Sequence, residues 1–210
     1  MIRQKYFNAL VAVTLLAGST FVLTLRPVQA EELSAQQIID GLKTSKTRSM
    51  SGPEQPTITT DDLAFVERVR GQTRSLTLDD RERLAGIVAN RPKIDLEVNF
   101  DYNSAALSPK TKSQLNSLGK ALTSPELAGA VIMVGGNTDA KGGEEFNQGL
   151  SEKRANAVKS FLIENYRVPT ANLIATGYGK THLKNSADPF APENRRAQIA
   201  NVAEAEQAAR

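Results

Sequence analysis

One arginine stands where a helix should be greasy. Between about residues 146 and 165, Leu150, Ala157, Val158, Phe161 and Leu162 fall on a single stripe at 100° per residue. Arg154 lies four residues from both Leu150 and Val158, in the middle of that stripe, and Asn147 points the same way. Glu152, Lys153 and Lys159 are expected mostly on the other side. A guanidinium turned toward a core needs a partner, because an unpaired buried charge is strongly destabilising. The nearest candidate is Asp139, in a loop with Gly136, Gly142 and Gly143, where glycines let backbone approach a sheet or a ligand closely. The pair can therefore recognise charge on a ligand, or it can be a plain Asp139–Arg154 salt bridge that fixes the turn. On spacing alone both readings stay open.

Chemistry of other kinds finds little support. The chain has one histidine, His182, in a polar stretch, and no Gly-x-Ser-x-Gly elbow for a nucleophile. It has no cysteine, so thiol catalysis and cysteine-held metals are excluded, and histidines are too few for a zinc site. No metal or cofactor is expected, and no enzymatic activity. Asp79-Asp80, Glu144-Glu145 and Glu152 read as charges at helix starts, where the dipole favours them, rather than as a hydrolytic carboxylate pair.

The elements that must position Asp139 and Arg154 follow from periodicity. Ile94, Leu96, Val98 and Phe100 alternate with polar residues, the period of a half-buried strand. Ser108-Pro109 is an N-cap followed by an N1 proline, opening a helix with Leu115, Leu118 and Leu122 on one face. Val131 to Val134 is a short apolar strand expected to stop at Gly135-Gly136. After the long helix come strands at Leu173–Thr176 and Arg196–Val202. This alternation indicates an α/β domain, an α+β sandwich with helices packed on one mixed sheet. Upstream, Ser34-Ala-Gln-Gln37 is a capping box for a short helix at 31–43. A Ser/Thr/Pro-rich linker is expected over 44–60, and a helical segment over 61–91 with Thr77 and Asp80 opening its better helix.

Residues 1–30 read as a secretory signal. Arg3 and Lys5 precede an uncharged run from Tyr6 to Leu25, and Val28-Gln29-Ala30 offers a cleavage site before Glu31. An uncleaved membrane anchor is the alternative. The whole chain carries 26 basic and 23 acidic residues. The signal holds three of the basic ones, so 26 less 3 leaves 23 against 23 in the exported chain. Nucleic-acid binding through basic charge thereby loses its basis.

Four motifs then add a resemblance. Val98-Asn-Phe-Asp-Tyr-Asn-Ser-Ala105, Gly136-Asn-Thr-Asp139, Asn147-Gln-Gly-Leu-Ser-Glu-Lys-Arg-Ala-Asn-Ala-Val158 and Glu193-Asn-Arg-Arg196 resemble, in order and spacing, the signatures of the OmpA-like domain family. The resemblance implies a βαβαβ-β domain over 92–202, followed by a tail at 203–210. It implies non-covalent binding of peptidoglycan at the diaminopimelate of the stem peptide, whose free end carries an ammonium beside a carboxylate. Asp139 would accept the ammonium and Arg154 would grip the carboxylate, with Asp101, Thr138, Asn147, Leu150 and more weakly Arg196 lining the pocket; Arg195 is expected to face solvent. The family's usual histidine is Asn137 here, which cannot titrate, so binding should depend little on pH near 6–7. Phe146 stands where many relatives have tyrosine.

The resemblance places the protein in the periplasm, associated with the outer membrane, and in contact with a membrane only if the signal is retained. Residues 31–91 are too few for a membrane barrel and are expected to dock another envelope protein. A lipoprotein would need an N-terminal cysteine, and a proton-conducting stator a carboxylate between residues 6 and 25; neither is present.

Overall fold

Alternation of side chains on a strand explains why the central strand is apolar throughout. In a computed structural model describing residues 32–43, 58–72, 75–96, 100 and 104–204, this strand is β2, Val131–Gly136. Ile132 and Val134 face one hydrophobic cluster, and Val131 and Met133 face another. Both faces of the sheet are covered, so neither set of side chains can be polar. The sheet also contains β1 (Lys93–Leu96), β3 (Leu173–Gly177) and β4 (Ala197–Ala203), in the order β1-β4-β2-β3. β4 runs antiparallel to both β1 and β2, and β2 and β3 are parallel.

Among the described residues, five helices cover this sheet. On one face lie α1 (Ala35–Leu42), α4 (Pro109–Leu122) and α5 (Glu144–Tyr166), whose Leu42, Leu118, Val158 and Leu162 join Ile132, Val134 and Ile199. On the other, α2 (Thr60–Val69) and α3 (Leu78–Ala89) bring Phe65, Val66, Leu84 and Val88 against Met133, Ala200 and Val202. The element order β1-α4-β2-α5-β3-β4 is the expected βαβαβ-β path. Caps fall where their residue types predict. Ser34 and Gln37 form the reciprocal box, and Thr77 and Ser108 accept from Asp80 N and Thr111 N.

The structure departs from the expectations at several points. β2 does not stop before its glycines but runs through Gly136. A β-carbon at Gly136 would overlap the Ser151 carbonyl oxygen, so the glycine serves the close approach of α5. Of the described residues upstream of 92, α2 and α3 lie on the second face of the sheet, which would otherwise expose Met133 and Val202 to water. Lys159, assigned to the outer side of α5, is buried and donates to Gln72 O at 3.3 Å. Glu152 is no helix-start charge; it pairs with Arg81 at 3.2 Å and accepts from Ser75 at 2.8 Å. The α5 stripe is rotated accordingly, so that Leu150 and Ala157 are only half-buried while Asn147, Ser151, Arg154 and Ala155 are buried. β4 begins at Ala197, one residue after Arg196.

The signal at 1–30, residues 44–57 of the linker, residues 97–99 of the first strand, Asp101 and the tail from 205 lie outside the described residues. Among the described residues no helix is long and apolar enough to cross a membrane.

Candidate functional site

The site forms where β2 ends and α5 begins. Beyond Gly136 the chain is tied down by its own amides: Asn137 N donates to Arg196 O at 3.0 Å, Thr138 N to Gly179 O at 2.8 Å and Ala140 N to Pro189 O at 2.9 Å. Asp139 folds back on this loop, its Oδ1 accepting from Lys141 N at 3.1 Å. Gly142, at φ 95°, turns the chain into α5 by a conformation that favours glycine. Gly143 caps α5 without a side chain, and Glu144 and Glu145 occupy its first turn, where negative charge suits the dipole.

α5 then presents buried polar side chains to that loop. Asn147 donates to Lys141 O at 3.0 Å and so braces the loop that carries Asp139. Ser151 Oγ accepts from Gly179 N at 2.9 Å and donates to Gln148 O at 2.8 Å. Arg154, only 8% exposed, donates from Nε to Ser104 O at 3.2 Å, and its guanidinium carbon lies 4.8 Å from the centre of the Phe100 ring. Burial lowers the Arg154 pKa from its ordinary value, repulsion by Arg195 lowers it further, and attraction to Asp139 works the other way.

The ion pair of Asp139 is with Arg195. Arg195 Nη1 lies 2.7 Å from Asp139 Oδ2, with the arginine side chain 45% exposed and the aspartate 14%. This corrects the expectation that Arg195 merely faces solvent. Its reason is geometric: the turn at Pro192–Asn194 delivers Arg195 beside the loop that follows β2, the strand next to β4. Arg154, Arg195, Arg196 and Asn137 line one narrow cleft with Phe100 and Gly136.

Among the remaining predicted residues, Thr138 is buried and its hydroxyl has no hydrogen-bond partner among the described residues, as is true of Asn137 Oδ1. Leu150 is half-buried on α5. Arg196 is buried, and its Nε donates to Asp95 Oδ1 at 3.2 Å while Nη2 donates to His182 O at 3.2 Å. Most of its bonding is therefore internal. His182 is no simple loop residue: it lies 3.4 Å from Glu82 and edge-on to Tyr178. Among the described residues no three His, Asp or Glu side chains gather as a metal would require.

Residue spacing missed Ser104 and Phe100 as partners of Arg154. Phe100 had a signal, since the alternation through Val98 turns it inward. Ser104 acts through its carbonyl, which no side-chain pattern reveals.

Residues 99–198 match the family model described as OmpA family. These residues belong to the OmpA family. Relatives of the OmpA-family segment include Outer membrane porin F of Pseudomonas aeruginosa, 30% identical over 120 residues, or 56% of this chain and 34% of that protein. Outer membrane protein A of Atlantibacter hermannii is 34% identical over 98 residues, 46% of this chain and 40% of that protein. The chain spans about a third of the length of the curated relatives it matches. A crystal structure of the peptidoglycan-associated lipoprotein from Burkholderia pseudomallei aligns at 29% identity, over 54% of this chain and 92% of that one, with a TM-score of 0.42.

Proposed function

We propose that this chain binds peptidoglycan without catalysis, through the diaminopimelate of its stem peptide, and so holds part of the cell envelope to the wall. The observation that carries the reading is a cleft lined by the buried Arg154 and by Arg195, which holds Asp139, within the segment that matches the OmpA family. Diaminopimelate ends in an ammonium next to a carboxylate. Asp139 would accept from the ammonium. Arg154 would grip the carboxylate, for which its planar fork is well matched. Phe100 beneath the guanidinium and the Ser104 carbonyl hold Arg154 in orientation. Asn137 and Thr138, each with a buried oxygen lacking a partner among the described residues, support the cleft; Asp101 belongs to the same proposal by resemblance alone.

The periplasmic location rests on the signal reading of residues 1–30 and on the outer-membrane relatives. Docking of another envelope protein by residues 31–91 would use the outer surfaces of α1, α2 and α3, since their inner faces cover the sheet. The rival reading is an internal brace, favoured by the Asp139–Arg195 pair.

Co-sedimentation of the purified chain with insoluble peptidoglycan decides between them. The chain should pellet with the wall, free diaminopimelate should release it, and Asp139→Ala and Arg154→Ala should each abolish pelleting while the protein still melts cooperatively. Collapse of the melting transition in both variants would favour the brace.

A further inference from the structure

The three arginines of the cleft differ in one respect. Arg154 and Arg196 are buried, whereas nearly half of the Arg195 side chain meets solvent. Of the three, Arg195 is the one whose guanidinium can turn into solvent without leaving a buried position. Yet Arg195 Nη1 holds Asp139 Oδ2 at 2.7 Å, and Oδ1 is already engaged by Lys141 N. We infer that Arg195 is a built-in competitor for the ammonium of the ligand, occupying the Asp139 oxygen that the Lys141 amide leaves open.

The inference rests on the reading of the site proposed above and adds a source of selectivity to it. An ammonium arriving while Arg195 remains would have to share the Asp139 carboxylate with the Arg195 guanidinium. Arg154 and Arg195 already repel each other. Displacing Arg195 leaves Asp139 with the ammonium and Arg154 with the ligand carboxylate, a balanced arrangement. A ligand carrying only an amine exchanges one cation for another on Asp139 and gains little. A ligand carrying only carboxylates loses nothing from the presence of Arg195. The competitor therefore taxes the ammonium contact specifically.

Titration calorimetry with two probes, free diaminopimelate and pimelate, tests this on the full chain. Pimelate is the same seven-carbon diacid without amino groups. Removing an exposed ion pair that competes with the ligand should tighten diaminopimelate binding by Arg195→Gln roughly two- to fivefold. Pimelate binding should not tighten. Arg195→Lys, which keeps the cation, should stay near the wild type, and Asp139→Asn should cancel the gain from Arg195→Gln. Unchanged or weaker diaminopimelate binding by Arg195→Gln, with the wild type binding normally, overturns the competitor and leaves the site reading standing. Absence of binding by both the wild type and Arg195→Gln overturns the site reading and the competitor with it.

Discussion

The two halves of α5 share one buried stripe and use it differently. Toward the C-terminus, Ala155, Val158 and Leu162 share a cluster with Leu115, Leu118 and Leu122 of α4. Toward the N-terminus the buried positions are Asn147, Ser151 and Arg154, and each bonds a backbone group of a different loop: Lys141 O, Gly179 N and Ser104 O. The first half is a core, which burial of apolar surface explains by itself. The second half is a clamp that gathers three loops around Asp139, and its polar burial has to be matched by bonds. Folding alone would be served as well by apolar residues there. The polar half is thus where the proposed recognition role can be tested, and the mainly apolar half, with Lys159 as its buried exception, is where stability can.

Substitutions can break that contrast. Leu162 is fully buried, so Leu162→Ala should cost about 2–5 kcal/mol in denaturant unfolding while folded protein still pellets with the wall. A loss below about 1 kcal/mol would mean that the C-terminal half is not the core it looks like. Arg154→Met conserves much of the volume but removes a charge and its bond to Ser104 O. Loss of a charge-assisted bond should lower stability by no more than about 2 kcal/mol, so that the variant stays folded while wall binding disappears. Destabilisation of about 3 kcal/mol or more would make Arg154 a brace and erase the distinction between the halves.

The smallest expected effect concerns the ionic cluster beside the clamp. Burial opposes the charge of Asp95, but Lys184 at 3.0 Å and Arg196 at 3.2 Å outweigh it and hold the carboxyl below its ordinary value of 3.8. A depressed carboxyl stabilises the fold above the unfolded-state pKa, and that contribution fades as pH falls through the folded one. Asp95→Asn should therefore melt lower than the wild type at pH 6, by roughly 2–4 °C for a pair worth about 1 kcal/mol. The gap should close on acidification below about pH 4. A gap that persists unchanged to pH 2 would show that Asp95 acts through shape or hydrogen bonding rather than charge.

Much of this molecule is local in origin and is readable in one dimension. Ser34, Thr77 and Ser108 cap helices because a short side-chain oxygen three residues before an amide can reach it in any context. The spacing of Leu150, Arg154 and Val158 turns an arginine toward the core whatever the core contains, although the packing rotates the stripe toward Ser151 and Ala155. The sequence alone thus determined the elements, the family signatures and the inward Arg154. Tertiary structure alone decided that Asp139 pairs with Arg195, 56 residues away, that Gly136 admits the backbone of α5, that Lys159 reaches Gln72, and that α2 and α3 close the second face of the sheet. Periodicity states which way a side chain leaves its own element, whereas the choice of partner depends on ångström separations between segments that the chain order leaves far apart.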